Sequence, residues 1–205
     1  MKKIIMSIML LTLALVSISA KDVFTVKSGD PSIILEKGTT ALYEIDYSKA
    51  VVTNSKDHED DVPFNDWVVS YEEDDEDAKW KKDENELKKT FREKFNDANK
   101  KGVQLTKTGK NYKIILRLTM VDWGAAVKMR LTGLGGGNAL ISGEFEVQDM
   151  NGTSLAVVEF KDQKGGSSFK RIGRLKEAFE WLSNDIVDYI KDYQKAQKKA
   201  AKKKK

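Results

Sequence analysis

Few residues in this chain could do nucleophilic or metal chemistry, because its 205 residues include one histidine, His58, and no cysteine. Thiolate zinc sites, iron-sulfur clusters and cysteine nucleophiles are therefore excluded. A multi-histidine metal site is excluded too, and a Ser-His-Asp triad would have to use His58. His58 sits in the acidic run Asp57-His58-Glu59-Asp60-Asp61, and a second acidic run spans Glu72 to Asp77. Carboxylate oxygens are the preferred ligands of calcium, but neither run has the alternating Asp, Asn and Gly spacing of a loop that wraps around that ion. Both runs read as solvated loops and His58 as a surface histidine. No metal or cofactor is expected.

The glycine-rich segment Gly133-Leu134-Gly135-Gly136-Gly137 invites comparison with loops whose backbone N–H groups cradle phosphate. Such a loop passes from a strand into a helix with fixed glycine and lysine spacing, whereas this one leads into a further strand. A flexible or bulged connection, of a kind that can pack closely against a partner, is the better reading. Trp67, Trp80 and Trp123 fall at the edges of elements, where aromatics serve either as core rim or as interface anchors. The candidate interaction site is accordingly Gly133, Leu134, Gly135, Gly136, Gly137 and Trp123. Nothing marks a particular carboxylate pair for glycoside hydrolysis, and no catalytic motif is present.

The elements that must position these residues follow from hydrophobic periodicity. Val23–Val26, Ile33–Leu35 and Ala41–Tyr47 have strand character, separated by Gly29-Asp30-Pro31 and Lys37-Gly38. Residues 66–71 read as a further short strand or an irregular segment. Leu87, Phe91, Phe95 and Ala98 recur at helical spacing over 83–100, with Asp83 and Glu86 in the positions of a capping box and Gly102 as the stop. Tyr112, Ile114, Leu116, Leu118 and Met120 alternate with polar residues over 111–121, and a second alternating run carries Ile141, Phe145 and Val147. The Asp149-Met150-Asn151-Gly152 turn then predicts a hairpin returning through 155–161. Ile172, Leu175, Phe179, Leu182, Ile186 and Ile190 mark an amphipathic helix over 171–193. The order predicts an α+β fold in two layers, a mixed or largely antiparallel sheet with two main helices on one face.

Lys2 and Lys3, the uncharged run Ile4–Ala20 and the small residues before Lys21-Asp22 have the plan of a cleavable secretory signal peptide. The expected organisation is a signal peptide at 1–20, a single α+β domain at 21–193 and a lysine-rich disordered tail at 194–205. Seven of the 36 cations lie between 195 and 205 and two in the signal, leaving 27 against 32 carboxylates, a body near −5. A nucleic-acid binder would carry a basic face on its folded body, so no nucleic-acid partner is expected. The tail suits a weak contact with an anionic surface.

The stretch from Tyr112 through Ile190 resembles the bacterial envelope proteins of the domain-of-unknown-function 4410 family. The likeness rests on the strand Ile114-Ile115-Leu116-Arg117-Leu118, the segment Arg130–Gly137, the strand Ile141–Val147, the Asp149–Gly152 turn and the closing helix. Leu42-Tyr43-Glu44-Ile45-Asp46 looks like that family's first core strand, and 83–100 its first helix. The resemblance implies a sheet flanked by helices, similar to the N-terminal domains of TolB and of the curli secretion lipoprotein, and a periplasmic home. It implies no catalytic residue. Many such proteins are lipidated, and the absence of cysteine removes that anchor here. The expected role is a non-catalytic periplasmic module that binds an envelope protein or a second copy of itself, with no transmembrane segment once the signal is removed. The alternative is a periplasmic ligand-binding protein or hydrolase acting on glycan or an anionic small molecule, which requires a deep pocket with convergent polar groups. Exported protein is expected to begin at Lys21, as N-terminal sequencing of the periplasmic fraction would read.

Overall fold

The computed structural model describes residues 23–53, 61–74, 79–124, 138–166, 168 and 170–203. In chain order these form β1 (Phe24–Gly29), a 3-10 turn (Pro31–Leu35), β2 (Thr40–Asp46), β3 (Val51–Thr53), β4 (Val62–Pro63), α1 (Phe64–Asp74) and α2 (Trp80–Ala98). Then come β5 (Gln104–Leu105), β6 (Tyr112–Asp122), β7 (Leu140–Asp149), β8 (Ser154–Lys164) and α3 (Arg171–Lys203). The eight strands make one mixed sheet in the order β1-β8-β7-β6-β2-β5, with β3 beside the end of β6 and β4 beside β3. The fold is α+β, as the periodicity indicates.

β6 carries the architecture. On one side it pairs antiparallel with β7, and on the other it pairs parallel with β2 and then with β3. Parallel pairing of β2 with β6 needs a crossover, and α1 and α2 lie in the connection between them. Ile114, Leu116 and Leu118 on β6, Phe145 and Val147 on β7 and Ala156, Val158 and Phe160 on β8 point to one face, which the registers align. Leu87, Phe91 and Phe95 of α2 and Leu175, Phe179, Leu182 and Ile186 of α3 pack on that same face in a single core. Both main helices thus cover one side of the sheet.

Hydrogen bonding explains where the elements depart from expectation. Ile33-Ile34-Leu35 is a 3-10 turn rather than a strand, because the Asp30 carboxylate accepts from the Ser32 amide at 3.0 Å and Pro31 presets the first helical φ. Residues 66–71 belong to helix α1, in which Phe64, Trp67, Val68 and Tyr71 fall at helical spacing. α2 starts at Trp80, earlier than a capping box at Asp83 and Glu86 would allow. The Glu72 carboxylate accepts from the Trp80 amide at 2.8 Å, and Asp83 instead accepts from the Tyr71 hydroxyl at 2.8 Å. The lysine-rich stretch is helical through Lys203 instead of disordered from 194. Lys195 pairs with Asp192 at 2.8 Å and Lys198 with Gln194 at 2.9 Å, while Lys202 and Lys203 in the last turn oppose the negative end of the helix dipole. The Asn-Gly turn forms as expected. Asp149 accepts from the Asn151 and Thr153 amides at 2.9 and 2.8 Å, which holds its carboxyl below the usual range, and Gly152 takes φ +87°.

One buried charge fastens α3 to the sheet. Arg174 is 1% exposed, and its guanidinium donates to the carbonyls of Trp123 at 2.6 Å, Ser168 at 2.9 Å and Gly124 at 3.4 Å. The Arg174→Met variant keeps the stem but leaves these acceptors without a donor. It should lower unfolding stability by about 3 kcal/mol, read as a fall in the urea midpoint at unchanged slope.

Candidate functional site

Because the helices share one face, the opposite face of the sheet is left to the polar halves of the alternating strands. Leu42, Glu44 and Asp46 of β2 stand opposite Lys113, Ile115 and Arg117 of β6, which in turn align with Gln148, Glu146 and Glu144 of β7. Glu159 of β8 continues the row beside Glu144. Arg117 bridges this surface, reaching Glu146 at 2.5 Å and Asp46 at 3.5 Å. Lys113 pairs with Glu44 at 2.7 Å, and Lys27 reaches Glu159 from the edge strand at 3.6 Å. Hydrogen bonds from Ser48, its hydroxyl and its amide, together with Arg117 hold the Asp46 carboxyl below the usual range.

Ile115, which points to this outer face, is buried yet lies outside the main core. Its cross-strand neighbours are Glu44 and Glu146, and Glu146 is itself only 7% exposed. Among the described residues no helix covers this side. The result is an ion-paired surface built on paired strands, with carboxylates outnumbering cations. Partly exposed pairs of this kind contribute about 0–1 kcal/mol each to stability, so they do little to hold the fold.

At the end of β6, Trp123 is 3% exposed. It does not present a free ring: it stacks on Trp67 at 4.6 Å, and Trp67 stacks in turn on Tyr71 at 4.7 Å. Trp80 meets Tyr47, Phe64 and Trp67 edge-on at 5.5, 5.1 and 5.9 Å. This aromatic cluster docks α1 and the start of α2 on the domain, so Trp123 serves there as packing. The other candidate residues, Gly133, Leu134, Gly135, Gly136 and Gly137, lie outside the described residues, as does His58. Of the acidic runs, Asp61 and residues 72–74 are described. Among the described residues no group of three or more His, Asp or Glu is placed to hold a metal ion.

A groove of about 390 Å³ runs between α2 and α3, lined by Glu86, Lys89, Thr90, Glu93, Lys94, Lys176 and Glu180. Its charges are largely spent on each other: Lys94 pairs with Glu180 at 2.5 Å and Lys176 with Glu86 at 3.9 Å. The bond to Glu180 raises the Lys94 ammonium above its usual range. The groove is a seam between two helices in which three carboxylates face three lysines.

Periodicity implied the outer face without revealing it as a site. Lys113 and Arg117 appear in sequence as the polar halves of an alternating strand, while their carboxylate partners come from β2 and β7. Arg174 gives no local signal, since an arginine in the first turn of a helix normally faces water.

No protein-family model matches the sequence, and no curated protein does. Among solved structures the chain is similar to the PelC dodecamer from Paraburkholderia phytofirmans. The identity is 10% and the TM-score 0.38, over 78% of this chain and 96% of that one. A point variant of the same PelC dodecamer aligns at 11% identity and TM-score 0.32, over 77% and 97% of the two chains. Neither fold nor role is carried over at that level of similarity. No described helix is long and apolar enough to cross a membrane.

Among the described residues, three buried polar atoms have no hydrogen-bond partner: the Tyr43 and Tyr47 hydroxyls and the Trp123 Nε1. Burial pushes both tyrosine hydroxyls well above their usual value, with Glu84 adding to the effect. Because the folded state resists ionising these hydroxyls, stability falls as pH climbs past the unfolded value near 10. Tyr47→Phe removes an unbonded hydroxyl, so it should raise stability at pH 7 by roughly 1 kcal/mol. It should also flatten the loss of stability above pH ~10 by up to about 1.4 kcal/mol per pH unit. Chemical denaturation of the two proteins at pH 7 and across the alkaline limb measures both effects.

Proposed function

We propose that the protein is a non-catalytic interaction module of the bacterial envelope, which docks a protein partner on the outer face of its sheet. The observation that carries this reading is the one-sided packing: every described helix contributes to a single core, and the other face of the sheet is a charged surface on rigid strands. A rigid scaffold with charges already ordered loses little conformational freedom on binding, and complementary charge selects the partner. Carboxylates predominate on this face, so the complementary surface is rich in lysine and arginine. The export signal read at 1–20 and the resemblance to envelope proteins support the compartment. The partner is another envelope protein or a second copy of the chain.

Photo-reactive residues introduced in place of Glu44 and Lys27, whose side chains are about half exposed, sample this surface from its two ends. A third, in place of the exposed Lys81 on α2, samples the helical side. Irradiation of intact cells should give discrete adducts from the first two positions and none from the third, and adduct mass separates a partner from a second copy. Equal adducts from all three positions, or none from Glu44 and Lys27, would overturn the reading.

A further inference from the structure

The lysine-rich end of α3 is an ordered feature with a direction. Ile190 is the last fully buried residue of the helix, and Lys191 is tied down by a bond from its ammonium to the Ala98 carbonyl at 3.1 Å. The helix then continues to Lys203, about 20 Å further along its axis. In this extension Lys195, Lys198, Lys199, Lys202 and Lys203 recur at intervals of three and one, the spacing that places side chains on one helical face. They fill an arc of about 140° at 100° per residue, and Gln197, Ala200 and Ala201 fall on the opposite side. All five lysines are exposed, while Ala196 and Ala200 are half-buried. Lys195 is engaged by Asp192, and Lys199, Lys202 and Lys203 make no ion pair among the described residues. A lysine-rich sequence without helical order would spread the same charge in every direction.

We propose that this stripe is a docking surface for an anionic phospholipid membrane, reached by the tip of the helix while the acidic body stays clear of the surface. Charge complementarity is the argument: the stripe gathers five cations on one face, and residues 21–194 of the expected mature chain are near −5. A flat membrane can touch the projecting tip alone. A nucleic-acid duplex, itself a long polyanion, would gain only these few contacts while lying close to a carboxylate-rich body. Beyond Tyr193, which is half-buried at the body end, the opposite side of the extension carries alanine and glutamine with no large apolar residue, so nothing inserts into the acyl region. Attachment is purely electrostatic, reversible and sensitive to salt.

Vesicle flotation tests this with the chain beginning at Lys21, which retains every described element. The probe vesicles are neutral phosphatidylcholine, alone or with about 30% phosphatidylglycerol, at low salt. Binding is expected to the anionic vesicles only and should disappear when salt rises to about 0.5 M. The triple variant K199Q, K202Q and K203Q removes lysines that make no ion pair in the fold, so its thermal midpoint and helical circular dichroism should match the parent. Its affinity for the anionic vesicles should fall about a hundredfold, at roughly fivefold per lysine near an anionic surface. Unchanged affinity in the triple variant, equal binding to neutral vesicles, or tighter binding to a short DNA duplex than to the anionic vesicles would each overturn the proposal. Crosslinking from the sheet face does not depend on these lysines, so either proposal can fail alone.

Discussion

Burial of a single face of β6 is the constraint on which the rest of the structure depends. Ile114, Leu116 and Leu118 need an apolar cover, and β6 is flanked by strands on both sides, so the cover has to come from above the sheet. α2 and α3 supply it, with Phe91 and Phe95 meeting Phe145 and Phe179 across the interface. Large aromatics bury much apolar area per residue, which lets two helices close the core of a chain without disulfides. Once both helices lie on one side, the alternation of the strands sends charge to the other. The core and the candidate docking face are thus two consequences of one period-two pattern.

The upper end of the sheet answers a different problem. β6 ends at Asp122, and the next two carbonyls, those of Trp123 and Gly124, have no ladder partner waiting in a neighbouring strand. Arg174 reaches back from the first turns of α3 to accept that role, coupling the strand end to the helix start through a buried guanidinium. The five donors of an arginine in a planar fork suit such a cluster of carbonyls better than a lysine could. Beside it the aromatic cluster seals the side, with Trp67 between Tyr71 and Trp123. Stacking of its aromatic side chains, together with the Tyr71–Asp83 and Glu72–Trp80 hydrogen bonds, holds α1 there.

Charge is distributed with a comparable division. Within the body most described cations on the sheet and between the helices have a carboxylate neighbour, as in Arg117 with Asp46 and Glu146 or Lys94 with Glu180. The end of α3 breaks that balance. Its lysines stand on a helix whose dipole they favour, which explains why a segment without an apolar face still holds helical order beyond the core.

Much of this was legible from residue order alone. The alternation in β6, β7 and β8, the Asn151-Gly152 turn and the apolar stripes of α2 and α3 are local patterns, because strand and helix periods act over a few residues and need no partner to be recognised. Other features depended on residues far apart in the chain. Phe64, Trp67, Val68 and Tyr71 are too few to declare a helix until Trp80 and Trp123 stack against them, and the start of α2 moved to Trp80 because Glu72 caps it from another element. The pairing of β2 parallel to β6, the ion pairs that cross between strands and the burial of Arg174 have no local signature at all. The sequence by itself determined which residues alternate, which faces are apolar and where charge accumulates. Only the tertiary structure decided which charges meet, which aromatic is buried and which face of the sheet stays open, since those follow from long-range registers that no short window of residues contains.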